Sequence, residues 1–338
     1  MVGEGLKMER LIGPNTAHKY EPETKKQLTA RIDELVTKGR APMPPKVRFT
    51  TYTLRYNKMD WIEIDALEKH WERADVDAEL GGDVHVTTKN VAAFSIGFAF
   101  KDTQLGKFVP KRVVIDGNAV LTEPALSDSG AHFRKSNGQW VLGLTKENGI
   151  LSKHHGLQGP IDDAFLDSFI FVRPTGKPLN DRIGAWAKGE LERAIVEWRR
   201  VFRGEARVKD DTAITADDIA SANLILWGDP SGNKVLAKIL PKLPLAWDAQ
   251  KLTVGKLETS AADHAPILIF PNPLNPQRYV VLNSGFTFRE GSNTTNSQQT
   301  PKLPDWAVID LKTPPNAKWP GLVVDAGFFD ERWQLPKP

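Results

Sequence analysis

The sequence predicts a multidomain chain of mixed α and β structure: an antiparallel β-sandwich followed by an α/β three-layer domain of flavodoxin-like (Rossmann-like) type, with one helix ahead of both. Shifts in hydrophobic period carry this expectation. Residues 21–39 repeat every 3.6 positions, residues 47–143 every two, and beyond residue 160 strand-length apolar runs alternate with helical stripes. The 338 residues agree, since a single core rarely grows past about 250–300 residues.

In the first helix, Pro22 suits the first helical position, Leu28, Ile32, Leu35 and Val36 form the stripe, and Gly39 supplies the stop. Pro42, Pro44 and Pro45 then break the chain, so residues 1–45 stand apart. In the next stretch Val76, Ala78 and Leu80 alternate with Asp75, Asp77 and Glu79, while Phe94, Ile96, Phe98 and Phe100 line one face. Gly81-Gly82, Asp116-Gly117 and Asn137-Gly138 punctuate this region as hairpin turns, which places the sandwich at residues 46–150.

Residues 151–290 alternate. Ser168 to Val172 reads as a buried strand, Leu191 to Phe202 as a helical stripe ending at Gly204, and Thr215 with Asp218 as a capping box. Leu224 to Trp227 is a further strand, and Asp229-Pro230 opens a helix carrying Val235, Leu236, Ile239 and Leu240. Strand and helix in alternation imply a parallel sheet, to which Pro266 to Phe270 and Tyr279 to Leu282 add strands. Residues 291–338, rich in Ser, Asn, Thr and Pro with isolated Trp306, Trp319 and Trp333, read as a loop-rich wrap held by aromatics.

Composition excludes several function classes. The 45 basic and 42 acidic residues leave a net charge of +3, which argues against a nucleic-acid partner, because such proteins carry a clustered basic stripe. The longest apolar stretch, Val91 to Phe100, is far shorter than the roughly 20 residues that span a bilayer, so no membrane partner is expected. MVGEGLKMER lacks the apolar core of a secretory signal, and the compartment stays open. Zero Cys excludes a thiolate nucleophile and a disulfide framework.

Candidate chemistry is sparse. The nearest approach to the nucleophile elbow, Ala93-Phe94-Ser95-Ile96-Gly97, lies inside a period-two pattern, whereas the elbow needs a strand turning sharply into a helix. None of the seven His stands in HExxH or HxH spacing. Loop carboxylates, Asp162 and Asp163 first and then the groups at Asp210, Asp211, Asp217 and Asp218 or at Asp325 and Asp330, are of the kind that take Ca²⁺ through oxygen ligands. Asp229, Ser231, Gly232 and Asn233 follow a buried strand and open a helix, where open α/β sheets bind ligands; plain helix capping is the competing reading. His154 and His155 lie in the interdomain linker as a surface pair or a ligand.

The segment Leu11-Ile12-Gly13-Pro14-Asn15-Thr16-Ala17-His18-Lys19-Tyr20, followed by a Pro-started helix, resembles the end of the catalytic domain in bacterial serine α/β-hydrolases of the prolyl-oligopeptidase-like and esterase-like kind. Tyr52-Thr53-Leu54-Arg55-Tyr56, Trp61, the run LEKHWERA from Leu67 and Gly159-Pro160-Ile161-Asp162-Asp163-Ala164-Phe165 resemble the long C-terminal extension that follows it. The resemblance implies that His18 is the triad histidine and that residues 1–45 are a remnant of the hydrolase domain. No G-x-S-x-G precedes His18, so the serine and acid are expected outside this sequence and His18 alone cannot perform acyl transfer.

Two expectations follow. In the first, the chain is the hydrolase-derived C-terminal portion of an α/β-hydrolase-like enzyme. Any activity of its own would be hydrolysis of a small acyl ester or lactone, using water activated by a cation or by a carboxylate with His154 or His155. In the second it is a noncatalytic module that binds peptide or glycan, or mediates assembly. In either case the N-terminal helix needs an apolar partner, the sandwich or a second copy in a homo-oligomer.

Overall fold

The computed structural model describes residues 9–39, 43–97, 112–121, 131–143 and 151–335. They form a mixed α/β structure dominated by several sheets. Residues before Lys46 make one compact unit and the chain from Lys46 a second. In the first, helix α1 spans Pro22–Lys38. The Glu21 carboxylate accepts the Glu23 and Thr24 N–H groups, and Gly39, at φ +67°, gives its N–H to Leu35 O. No residue of α1 is buried, and Ile32, Leu35 and Val36 of its stripe stay exposed.

The second unit opens with ten strands: Lys46–Thr51 (β1), Lys58–Met59 (β2), Ile62–Leu67 (β3), Ala74–Leu80 (β4), Val84–Lys89 (β5), Val91–Ile96 (β6), Arg112–Ile115 (β7), Asn118–Leu121 (β8), Ala131–Ser136 (β9) and Gln139–Leu142 (β10). They make two five-stranded sheets, ordered β1-β4-β5-β7-β8 and β10-β9-β6-β3-β2. Alternation explains the strands: in β1 Val47, Phe49 and Thr51 are buried and the residues between them exposed. The hairpin turns fall where expected, with Asp116-Gly117 and Asn137-Gly138 each carrying two successive positive φ angles. One pairing departs from the antiparallel expectation. Strands β5 and β7 are parallel, because β6 of the other sheet intervenes in sequence and supplies the crossover that a parallel pair needs. Phe98 and Phe100, expected on the β6 face, lie outside the described residues.

The remaining strands are Phe169–Arg173 (β11), Val208–Asp210 (β12), Asn223–Leu226 (β13), Ala246–Trp247 (β14), Lys251–Val254 (β15), Leu257–Ser260 (β16), His264–Asn272 (β17), Asn275–Leu282 (β18), Trp306–Asp310 (β19) and Leu322–Gly327 (β20). The helices here are Asp181–Phe202 (α2), Ala216–Ser221 (α3) and Lys234–Ile239 (α4). Strands β14 to β16 form a small sheet, and the others a seven-stranded sheet ordered β12-β11-β13-β18-β17-β19-β20. The first four strands run parallel and the last three pair antiparallel, so the sheet is mixed and not purely parallel. Strand β13 and all of β17 beyond His264 are buried, as expected for strands covered on both faces.

Two expectations are corrected. Helix α4 starts at Lys234, not at Asp229-Pro230, because Asn233 is its cap: its Oδ1 accepts the Val235 and Leu236 N–H groups. Residues 291–338 are not only a wrap, because Trp306 to Ile309 are four consecutive buried residues that complete the sheet as β19, with β20 beside them. Ile309 is fully buried, and its Cγ2 lies 2.6 Å from where a Cβ on Gly321 would sit. Ile309→Ala is therefore expected to destabilise the protein by about 2–5 kcal/mol in urea denaturation, whereas a peripheral wrap would give a change below about 0.5 kcal/mol.

Candidate functional site

At the carboxyl ends of the parallel strands, the residues expected to bind a ligand hold their own loop. Asp229 is fully buried; Oδ1 accepts the Ser231 and Gly232 N–H groups, each at 2.9 Å, and Oδ2 accepts Leu179 N–H at 2.9 Å. Asn233 Nδ2 donates to Trp227 O at 2.9 Å. Gly176 N–H donates to Gly232 O at 2.8 Å, and a Cβ on Gly176 would lie 2.8 Å from Ser231 O. The crevice between β11 and β13 is thus closed by its own backbone. Ser231 is exposed, and Gly232 is buried beneath it.

Asp162 and Asp163 do not share a ligand. Asp162 Oδ1 accepts Thr287 N–H at 2.9 Å, and Thr287 Oγ1 donates to its other oxygen. Burial pushes the Asp162 carboxyl up to about 6, against the opposing pull of these bonds. Asp163 faces the other way. Its Oδ2 accepts from the Tyr279 hydroxyl at 2.8 Å, the Arg55 guanidinium lies 3.6 Å from Oδ1, and burial raises its pKa. Tyr279 Oη also accepts Gly159 N–H at 3.0 Å.

The linker histidines are engaged similarly. His155 Nδ1 lies 2.9 Å from Leu54 O and donates to it, and His154 Nδ1 lies 2.9 Å from His155 O. Lys153, wholly buried, pairs with Asp305 at 2.8 Å and stands 5.1 Å from the Trp333 ring centre. Together these side chains bolt residues 54–55 to the linker, to β18 and to the tail. Among the described residues no group of three or more His, Asp or Glu is placed to hold a metal ion, so the calcium set expected at Asp162 and Asp163 is not assembled from them. Asp210 pairs with Arg173, Asp211 accepts Lys234 N–H, Asp218 completes the capping box, and Asp325 and Asp330 accept nearby backbone N–H groups. His18, in the first unit, is exposed.

Two arrangements escaped sequence reasoning. On one sheet face Ser95 of β6, His132 of β9 and Asp65 of β3 come together: Ser95 Oγ contacts Asp65 Oδ2 and lies 2.6 Å from His132 Nδ1. Here the hydroxyl stands between carboxylate and imidazole, whereas in a serine triad the imidazole stands in the middle. The Ser95 hydroxyl proton goes to Asp65, whose pKa burial raises, and the Nδ1–H tautomer of His132 completes the chain.

The second is an open groove of about 660 Å³ beside α2. Arg182, Ala185, Trp186, Gly189, Glu190 and Arg193 face it at spacings of three and four, one stripe of the helix. The opposite wall comes from Arg289, Glu290 and the segment Leu311 to Ala317. Two ion pairs cross beneath it. Arg289 Nη1 and Nη2 lie 2.6 and 3.1 Å from the Glu190 carboxylate, both side chains buried, and Arg193 reaches Glu290 at 2.9 and 3.3 Å. The wall is fastened by Arg289 Nε donating to Asn316 O at 2.8 Å and Trp186 Nε1 donating to Pro320 O at 2.7 Å. No sequence signal marks this groove, because its walls lie about 100 residues apart.

Comparisons with family models, curated proteins and solved structures find no significant match to this chain. The site therefore rests on its geometry.

The raised Asp162 pKa has a testable sign. Below about pH 4 folded and unfolded states both bind the proton; between about 4 and 6 the unfolded chain ionises first, so stability falls with rising pH. Asp162 is partly exposed, which discounts the loss to about 1–3 kcal/mol. Asp162→Asn keeps an acceptor for the Thr287 N–H, gives up the acceptor of the Thr287 hydroxyl and cannot ionise, so it is expected to lose less stability than wild type across this window in chemical denaturation. Parallel curves for the two proteins would contradict the assignment.

Proposed function

We propose that this chain is the ligand-recognising C-terminal portion of a serine α/β-hydrolase-like protein, a part that binds and does not cleave. In this reading the two five-stranded sheets form a β-sandwich, and the parallel strands with α2 to α4 form a flavodoxin-like domain. The observation that carries it is the open groove beside α2, whose volume falls in the range of small-molecule sites and whose wall is held by one buried charge pair, Glu190 with Arg289, and one half-buried pair, Arg193 with Glu290. Supporting it, Asp162, Asp163, Asp229 and Asn233 commit their polar atoms to this chain's own backbone and side chains. The acyl ester or lactone chemistry belongs, on this reading, to the hydrolase domain that the resemblance implies.

A second reading, hydrolysis by this chain itself, is favoured by the Asp65, Ser95 and His132 contact, which brings together the three group types of acyl transfer in another order. One assay separates the two. The chain, at high concentration, is offered short p-nitrophenyl esters and γ-butyrolactone with EDTA or with added Ca²⁺. The binding reading predicts rates equal to buffer in every case. Turnover abolished by Ser95→Ala, or appearing only with Ca²⁺, would replace it with the hydrolytic reading.

A further inference from the structure

We infer that the groove beside α2 takes an organic monocarboxylate with an apolar body, its carboxylate held by Arg182. This rests on the binding reading and gives the ligand its chemistry. The charges lining the groove decide the sign. Three guanidinium groups and two carboxylates are present, and the carboxylates of Glu190 and Glu290 are each matched by two hydrogen bonds from Arg289 and Arg193. Arg182, near the start of α2, is the surplus: it is exposed, and among the described residues no hydrogen bond or ion pair reaches its guanidinium. A cationic ligand would find both carboxylates already engaged, whereas an anion finds a planar fork of donors suited to two parallel bonds. One uncommitted guanidinium suits a single negative charge better than the double charge of a phosphate.

Apart from Asn316, the rest of the lining is apolar. Ala185 and Trp186 from the helix face Leu311, Pro314, Pro315 and Ala317 across the groove. Gly189 points to the same occupant. A glycine inside a helix costs about 1 kcal/mol relative to alanine, and elsewhere in α2 a neighbour explains one: a Cβ on Gly184 would lie 2.6 Å from Pro178 Cγ. At Gly189 a Cβ would meet nothing within 4 Å. The missing side chain relieves no contact inside the protein and leaves the exposed helix surface that lines the groove open at this point. The wall is also in place before any ligand arrives, since Arg289 and Trp186 tether residues 316 and 320, which lowers the ordering cost of binding.

The test uses the full chain, titrated with octanoate, octanol and octylammonium and followed by calorimetry and amide NMR shifts. Octanoate is expected to bind at least tenfold tighter than octanol, with octylammonium weakest. Arg182→Ala should bring octanoate down to the level of octanol, leave octanol unchanged and leave the melting temperature within 1–2 °C of wild type, since an exposed, unpartnered side chain is removed. Gly189→Leu should block all three probes. Octanoate and octanol binding equally well, with Gly189→Leu blocking both, would overturn the carboxylate assignment while the binding reading survives. Failure of every probe to bind, or octanoate affinity untouched by both substitutions, would overturn the inference. Ester turnover by the Gly189→Leu chain would overturn the binding reading separately.

Discussion

The buried pair between Glu190 and Arg289 is the interaction on which the groove beside α2 depends. It joins the middle of α2 to the segment leaving β18, two stretches that share no strand pairing. A buried pair of this kind gains little over well-packed apolar residues, because both ions are desolvated, but removing one partner leaves an unmatched charge and costs about 3–5 kcal/mol. Its effect is therefore positional. With Arg289 held by two bonds, its Nε is aimed at Asn316 O, and the segment from Leu311 to Ala317 stands off from the helix as a wall. The neighbouring Arg193 and Glu290 pair repeats the device one helical turn along, and the two pairs together leave Arg182 as the unmatched charge.

A second regularity runs through the polar interior. Asp229, Asn233, Asp162 and Asp163 sit in the short segments between strands and helices, Tyr279 within β18, and each spends its polar atoms on other residues of the chain. Short polar side chains that can ligate a metal or a substrate are also the ones that satisfy orphan backbone groups at turns and helix starts. Buried backbone must find partners, so in loops with little regular structure this demand takes precedence. The groove beside α2 takes one wall from long side chains on a helix, where the backbone already satisfies itself, and the other from Arg289, Glu290 and the segment from Leu311 to Ala317.

The legibility of the fold follows from how local each determinant is. Helix α1 was readable from Pro22, its stripe and Gly39, and the capping box at Thr215 and Asp218 from four residues. The turns at Asp116-Gly117 and Asn137-Gly138 were readable because both positions require positive φ. Strand β19 was hidden, since five apolar-rich residues among prolines and asparagines give too short a run to separate from loop. The start of α4 was misplaced because Asp229-Pro230 has cap-like grammar while Asn233 makes the bonds. Nothing local could show the groove or the Asp65, Ser95 and His132 contact, whose parts meet only through sheet register or across about 100 residues.

The proposed ligand site lies in the open groove between α2 and the segment from Leu311 to Ala317. Intermolecular nuclear Overhauser contacts between carbon-labelled octanoate and the full chain locate that place directly. Contacts are expected from the octanoate methylenes to the Trp186 ring and to the methyls of Ala185 and Ala317. Contacts confined to the strand-end loop around Ser231, or to the face carrying Ser95 and His132, would contradict that placement.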